Sequence, residues 1–362
     1  MRDRPIRELL VEGDPFHRGA VHGAAYHNEI RNYSAERVRL SSNGSWAGRP
    51  ATIDQVIDLA NRLLPSHRSF DAGLYEEMEG LAAATRLSVA EVMIVGGFTD
   101  FVDTVRAEGV TGLPDEDDCT AVIVPDALSD GPGFLAQTWD MHDTATEHVT
   151  MLRVIEESGP GALVFTTVGC LGQIGMNEAG IAVGINNLSA ANGKVGVTWP
   201  MVVRKILKQT SLDRALAVVL EADLAGGHNY LLFDREGTGY NIEAMPGYRA
   251  ISTLGAASLV HTNHCLDPHA QGLEAPRPAD LTESSVARLE MAVRLLTDSS
   301  ASGPVGVDDL TSLTRESSVI CRRSAPPHHT ESSGAAIMRP GTGEMWACWG
   351  VPADNEFELF KI

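Results

Sequence analysis

Apolar and polar positions change rhythm once along this chain. Over roughly the first 100 residues, apolar side chains recur every three or four positions, the spacing of a helix with one buried face. AAYHNEIRNYSAERVRL, VIDLANRLLPSH and FDAGLYEEMEGLAAATRL read as three helices, the second ending near Pro65. SVAEVMIVGGF reads as a fourth, with Ser88 and Glu91 spaced as a capping box. Residues 107–118, AEGVTGLPDEDD, carry no periodicity and read as a Gly/Pro/acidic linker. Strand-like runs follow: CTAVIV, GFLAQTWDM, TEHVTMLRVI, ALVFTTV, LGQIGMN and GIAVGINNL, with MNEAG as a hairpin turn. Residues 200–222 and 280–299 return to helical spacing. Hairpins are expected around Glu236–Gly237 and Gly341–Gly343. Strands grouped between helices point to an α+β protein of sheets covered by helices rather than alternating βαβ units.

With 362 residues the chain can bury a large core. A hydrophobic share of 43% and a charged share of 21% fit a globular protein. No apolar run approaches the ~18 residues of a membrane span, and the N-terminus has no secretory h-region. The net charge of −20 argues against nucleic acid and anionic membrane as partners. Five widely spaced cysteines, at 119, 170, 265, 321 and 348, suit reduced thiols and a cytoplasmic location better than a disulfide framework.

Cys119 stands where the linker meets the first strand. It reads either as a small apolar core residue or as a nucleophile held by the sheet. No histidine stands beside it as a base. Cleavage of the Asp118–Cys119 bond would supply one, since the freed α-amine titrates near pH 8 on the same residue as the sulfur. Thr120, one step on, would point to the opposite side. The segment His261–Cys265, with His269 beyond, lacks the paired spacing of a zinc site. Gly169, Gly172, Gly175, Gly180 and Gly184 lie in a strand pair, not in a strand–helix dinucleotide fingerprint, and suit close backbone packing. No cofactor or metal is expected.

FHRGAVHG, DDCTAVIV, GFLAQTWDMH, GCLGQIGMNEAGIAVGINNL, HTNHC, SVICRR and MWACWGVP, in this order, resemble the acyl-coenzyme A:6-aminopenicillanic acid acyltransferase family, also called the C45 peptidases. The resemblance runs over most of the chain. It implies a four-layer αββα N-terminal-nucleophile fold with two stacked, mainly antiparallel sheets. It also implies autocatalytic cleavage into 1–118 and 119–362, two pieces that stay together as one structural domain. Cys119 would serve processing and catalysis, with Asp118 and Thr120 flanking the cut. Asp140 would pair with Arg322, or with Arg323, and Asn263 would donate to the oxyanion. His142, His228, Asn229 and His264 are candidates for contact with substrate. The chain departs from the family pattern at Asp118, where glycine is usual, and at Thr138, where asparagine is usual. The activity expected is hydrolysis of a small N-acyl or aminoacyl amide through an acyl-cysteine. The alternatives are acyl transfer from coenzyme A or a penicillin-type amide to an amine, and a binding protein that kept the fold.

Overall fold

A computed structural model describes residues 4–109 and 118–362; most of the expected linker, 110–117, lies outside the described residues. The chain opens with strand β1 (Glu8–Gly13), then helices α1 (Pro15–Ala25), α2 (His27–Asn43), α3 (Ile53–Phe70), α4 (Ala72–Thr85), α5 (Val89–Gly96) and α6 (Phe98–Ala107). Strands β2 (Thr120–Val124), β3 (Phe134–His142), β4 (Val149–Glu156), β5 (Ala162–Thr167), β6 (Ile174–Asn177) and β7 (Ile181–Asn187) follow, then α7 (Trp199–Leu207) and α8 (Leu212–Glu221). Next come β8 (His228–Asp234), β9 (Gly239–Met245), β10 (Tyr248–Thr253), β11 (Leu259–His261), α9 (Pro268–Gln271), α10 (Ala279–Ser302) and α11 (Val307–Thr314). The chain closes with β12 (Thr330–Arg339), β13 (Glu344–Trp349) and β14 (Glu358–Lys361).

Two sheets form. One has eight strands in the order β1-β4-β5-β6-β7-β8-β9-β10, the other six in the order β11-β2-β3-β12-β13-β14. All neighbours run antiparallel except β1 on β4. Helices α7 and α8 pack on β6–β9, while α10 and α11 pack on β2, β3, β11 and β12; β2 and β3 face β7 and β8 across the middle. The layers are therefore helix, sheet, sheet, helix. Strand alternation explains how each sheet serves two cores. Ala121, Ile123 and Leu135 point between the sheets. Val122, Val124 and Ala136 point the other way, towards Leu296, Leu310 and Leu313 of the helices.

Four sequence expectations need correction. Helix α3 does not stop near Pro65 but runs through it to Phe70, because buried His67 anchors the last turn through the Leu63 carbonyl (3.0 Å) and Thr198 Oγ1 (2.9 Å). The first segment is not wholly helical: Glu8–Gly13 is an edge strand, legible only through its distant parallel partner β4. The strand expected from residue 146 starts at Val149, since Thr146 turns in a short 3₁₀ segment to hydrogen-bond Glu331 and Ser333. The helix over 200–222 breaks into α7 and α8 around Ser211, whose backbone is extended. The Ser88–Glu91 capping box and both hairpins form as expected. Among the described residues no helix is long and apolar enough to cross a membrane, and all five cysteines are buried free thiols.

Candidate active site

Register assembles the site. Strand β2 lies between β11 and β3, with Thr120 opposite Thr138 and Ala121 opposite both Gln137 and His261. Running each pairing outward past Thr120 brings Cys119 beside Trp139 on one side and Asn263 on the other. The contacts agree: the Cys119 amide donates to Asn263 Oδ1 at 2.6 Å. The Cys119 sulfur sits 3.5 Å from the Asp140 amide nitrogen and 3.7 Å from its carbonyl oxygen. Alternation aims Cys119 between the sheets. Asp118 and Thr120 point to the helix side, as expected for Thr120, whose Oγ1 lies 3.2 Å from an Arg288 guanidinium nitrogen.

Asn263 is oriented by its partners. Its oxygen accepts from the Cys119 amide and from Arg288 (3.2 Å), both obligate donors in the continuous chain, and its amide nitrogen donates to the Asn187 carbonyl at 3.1 Å. The carbonyl end, rather than the expected amide end, therefore faces Cys119. Its backbone is pinned by Ser285 Oγ (3.0 Å).

The expected Asp140–Arg322 pair is not formed. Arg322 ion-pairs with Asp118. The Arg322 backbone is clamped to Ser332 by two hydrogen bonds, and Ser332 lies opposite Asp140, so the side chain reaches across to the next carboxylate in the row. Arg323 is the outward one, paired with Asp354 at the surface.

The principal cation was missed by reading the sequence. Arg288 is fully buried on α10. It donates to the Cys119 carbonyl (2.5 Å) and Asp118 Oδ1 (2.8 Å) in addition to Thr120 and Asn263. Its signal was positional. The buried face of α10 is Leu281, Ser285, Arg288, Ala292 and Leu296, so Arg288 falls on the apolar stripe rather than on the solvated face.

The four candidate substrate residues separate. Asn229 faces the space between the sheets, 3.4 Å from Asn186, in a row with Glu243. His228 points into the outer helices instead, its Nδ1 2.9 Å from Asp100 and its ring stacked on Trp199. His264 binds Ser285 Oγ (2.7 Å) and Thr262 Oγ1, and burial pushes its pKa down to about 4, so it is a neutral brace between β11 and α10. His142 turns to Thr144 at the rim of the sheet, near Glu36 and Asp143, and burial lowers its pKa. Glu243 was also unforeseen. It accepts from His261 and from the amides of Leu266 and Asp267, which hold it ionised, and it borders a cavity of about 310 Å³ with Asn241 and Leu266. A larger cleft of about 520 Å³, lined by Pro65, Lys205 and Val218, shares no residue with this neighbourhood.

Two stacked sheets lie between helix layers, the four-layer αββα arrangement expected from the sequence, and Cys119 leads directly into the inner strand β2. The family model described as acyl-coenzyme A:6-aminopenicillanic acid acyl-transferase matches residues 128–354, and the chain belongs to that family. The matched span begins downstream of Cys119. The chain is 24% identical over 291 residues to the 40 kDa form of acyl-coenzyme A:6-aminopenicillanic-acid-acyltransferase from Emericella nidulans, covering 78% of this chain and 76% of that one. A shorter stretch of 147 residues is 33% identical to 8-amino-7-oxononanoate synthase from Mycobacterium sp. (strain KMS), 40% of this chain and 36% of that one. Among solved structures, a variant of conjugated bile acid hydrolase from Clostridium perfringens superposes with a TM-score of 0.46 at 10% identity, covering 67% of this chain and 97% of that chain.

Proposed function

We propose that this protein is a self-processing amidohydrolase that uses Cys119 first on its own chain and then on a small N-acyl or aminoacyl amide. The observation that carries this reading is the 2.6 Å contact between the Cys119 nitrogen and Asn263 Oδ1, beside a sulfur that meets the Asp140 amide. In processing, the Cys119 sulfur attacks the Asp118 carbonyl carbon. The C–N bond breaks, the nitrogen takes the thiol proton, and a thioester to sulfur replaces the amide. Water then releases the Asp118 carboxyl group and restores the thiol.

The freed α-amine keeps Asn263 Oδ1 as its acceptor, which orients its lone pair towards the sulfur. In turnover the amine takes the thiol proton and passes it to the departing amine as the acyl group moves to sulfur. It then draws a proton from the water that frees the acid. The Asp140 N–H is a donor to the negative charge on the sulfur. The polar row Asn186, Asn229 and Glu243 across β7, β8 and β9 is the part of the sheet offered to the polar part of the substrate.

The test is intact-mass analysis of wild type and Cys119→Ala. Wild type is expected as two co-eluting chains, 1–118 and 119–362, and the variant as one chain. A single uncut, fully active chain sinks the mechanism, and cleavage persisting in Cys119→Ala points to an outside protease. The family's description favours a second reading, acyl transfer to an amine. Product analysis with an acyl-coenzyme A donor and an added amine separates the two: a new amide means transfer, and free acid alone means hydrolysis.

A further inference from the structure

Resting on the reading of Cys119 as a self-processing nucleophile, we propose that the mature site selects acyl groups bearing a carboxylate two carbons beyond the scissile carbonyl, a succinyl or α-aspartyl pattern, and that Arg288 and Arg322 hold that carboxylate. The first acyl group attacked by the Cys119 sulfur is that of Asp118, so the position of the Asp118 side chain marks where the tail of any later acyl group must run. That position is built for an anion. Asp118 is wholly buried, its Oδ1 is 2.8 Å from Arg288, its Oδ2 ion-pairs with Arg322, and Ser284 Oγ stands 3.5 Å away. Arg288 is itself wholly buried and Arg322 about three-quarters so.

Once water releases Asp118, two guanidinium groups face the space it leaves. A neutral acyl tail there would give neither guanidinium a replacement for the Asp118 carboxylate; Arg288 keeps its bonds to the Cys119 carbonyl, Thr120 and Asn263, but losing a buried anionic partner is unfavourable. A carboxylate at the same distance from the carbonyl restores the pairing, and the planar guanidinium fork suits it. The spacing follows from the aspartyl skeleton: carbonyl carbon, Cα, Cβ, carboxylate. The family's usual glycine before the cysteine has no such group, so this selectivity would belong to this chain's own Asp118, Arg288 and Arg322.

The experiment uses the full-length protein after processing, checked by intact mass. Wild type and Arg322→Gln are mixed with succinyl and butyryl phenyl thioesters, and acylation of Cys119 is timed by mass spectrometry. The wild-type rate ratio, succinyl over butyryl, is expected to be on the order of 10². In Arg322→Gln the ratio is expected to fall at least about tenfold, with part of it returning in Arg322→Lys. Equal acylation of processed wild type by both thioesters, or none by either, overturns the proposal. So does an unchanged ratio in processed Arg322→Gln. A processed enzyme acylated equally by both leaves Cys119 as the nucleophile and removes only the selectivity, whereas an uncut chain with an unreactive Cys119 removes both. The wild-type ratio decides the matter even where a variant folds poorly.

Discussion

At the scale of single residues, the side chains around Cys119 do different work with their two ends. Asn263 offers its oxygen to Cys119 and its nitrogen to Asn187. Substituting it distinguishes the two ends. Asn263→Ala is expected to slow cleavage and acylation by about 10², the scale of a lost proton-transfer arrangement. Asn263→Asp keeps an oxygen for the amine but no donor for Asn187, and is expected to retain part of the activity. Mass-resolved cleavage rates measure both, and equal loss in the two variants would return Asn263 to the role of oxyanion donor. The histidines make a related point. His228 and His264 stand near the expected site in sequence, but one is locked under Trp199 and the other braces Ser285.

At the scale of elements, close packing explains the FHRGAVHG segment. It lies on α1, which crosses α4 with backbone nearly touching backbone. A β-carbon on Gly19 would meet the Glu77 carbonyl oxygen at 1.8 Å, and one on Gly80 would meet the Phe16 carbonyl oxygen at 2.0 Å. The crossing brings Arg18 to Glu77, which also receives Arg204 of α7, so a buried charge cluster ties the first segment to the outer helices. Gly19→Ala forces α1 and α4 apart and strains that cluster. A loss of about 1–3 kcal/mol is expected, the usual cost of overpacking, read as the shift in urea midpoint against Ala20→Gly as a control for composition. The same scale explains why Arg288 escaped notice. An arginine in an amphipathic helix, like Arg288 or Arg294 of α10, looks like surface charge until the helix's rotation on the sheet is known.

At the scale of the whole molecule, acid sensitivity is the expected signature. His22 and His67 are buried, and desolvation pushes both down to about 4. His22 Nε2 accepts the Gly169 N–H at 3.0 Å, which requires the neutral ring. Between the unfolded value near 6.5 and about 4, the unfolded chain binds a proton at each site that the folded chain refuses. Stability is therefore full above about pH 6.5 and declines as pH falls towards 4, by about 3 kcal/mol per site at the lower end. Asp103, which burial pushes up to about 7, works in the opposite sense over much of the same window. A net loss of about 2–3 kcal/mol from pH 7 to 4.5 remains, measurable as a falling urea midpoint; a flat profile would contradict it.

Local pattern by itself determined most of the element types, the break in rhythm at Cys119, the two hairpins and the nucleophile candidate, because periodicity, caps and turn residues act over a few positions. It also carried the family resemblance. Tertiary structure alone decided β1, the passage of α3 through Pro65 and the pairing of Arg322 with Asp118, since each depends on partners far along the chain. It decided Arg288 too: only the docking of α10 on β2 and β11 reveals that this guanidinium binds both the Asp118 carboxylate and the Cys119 carbonyl.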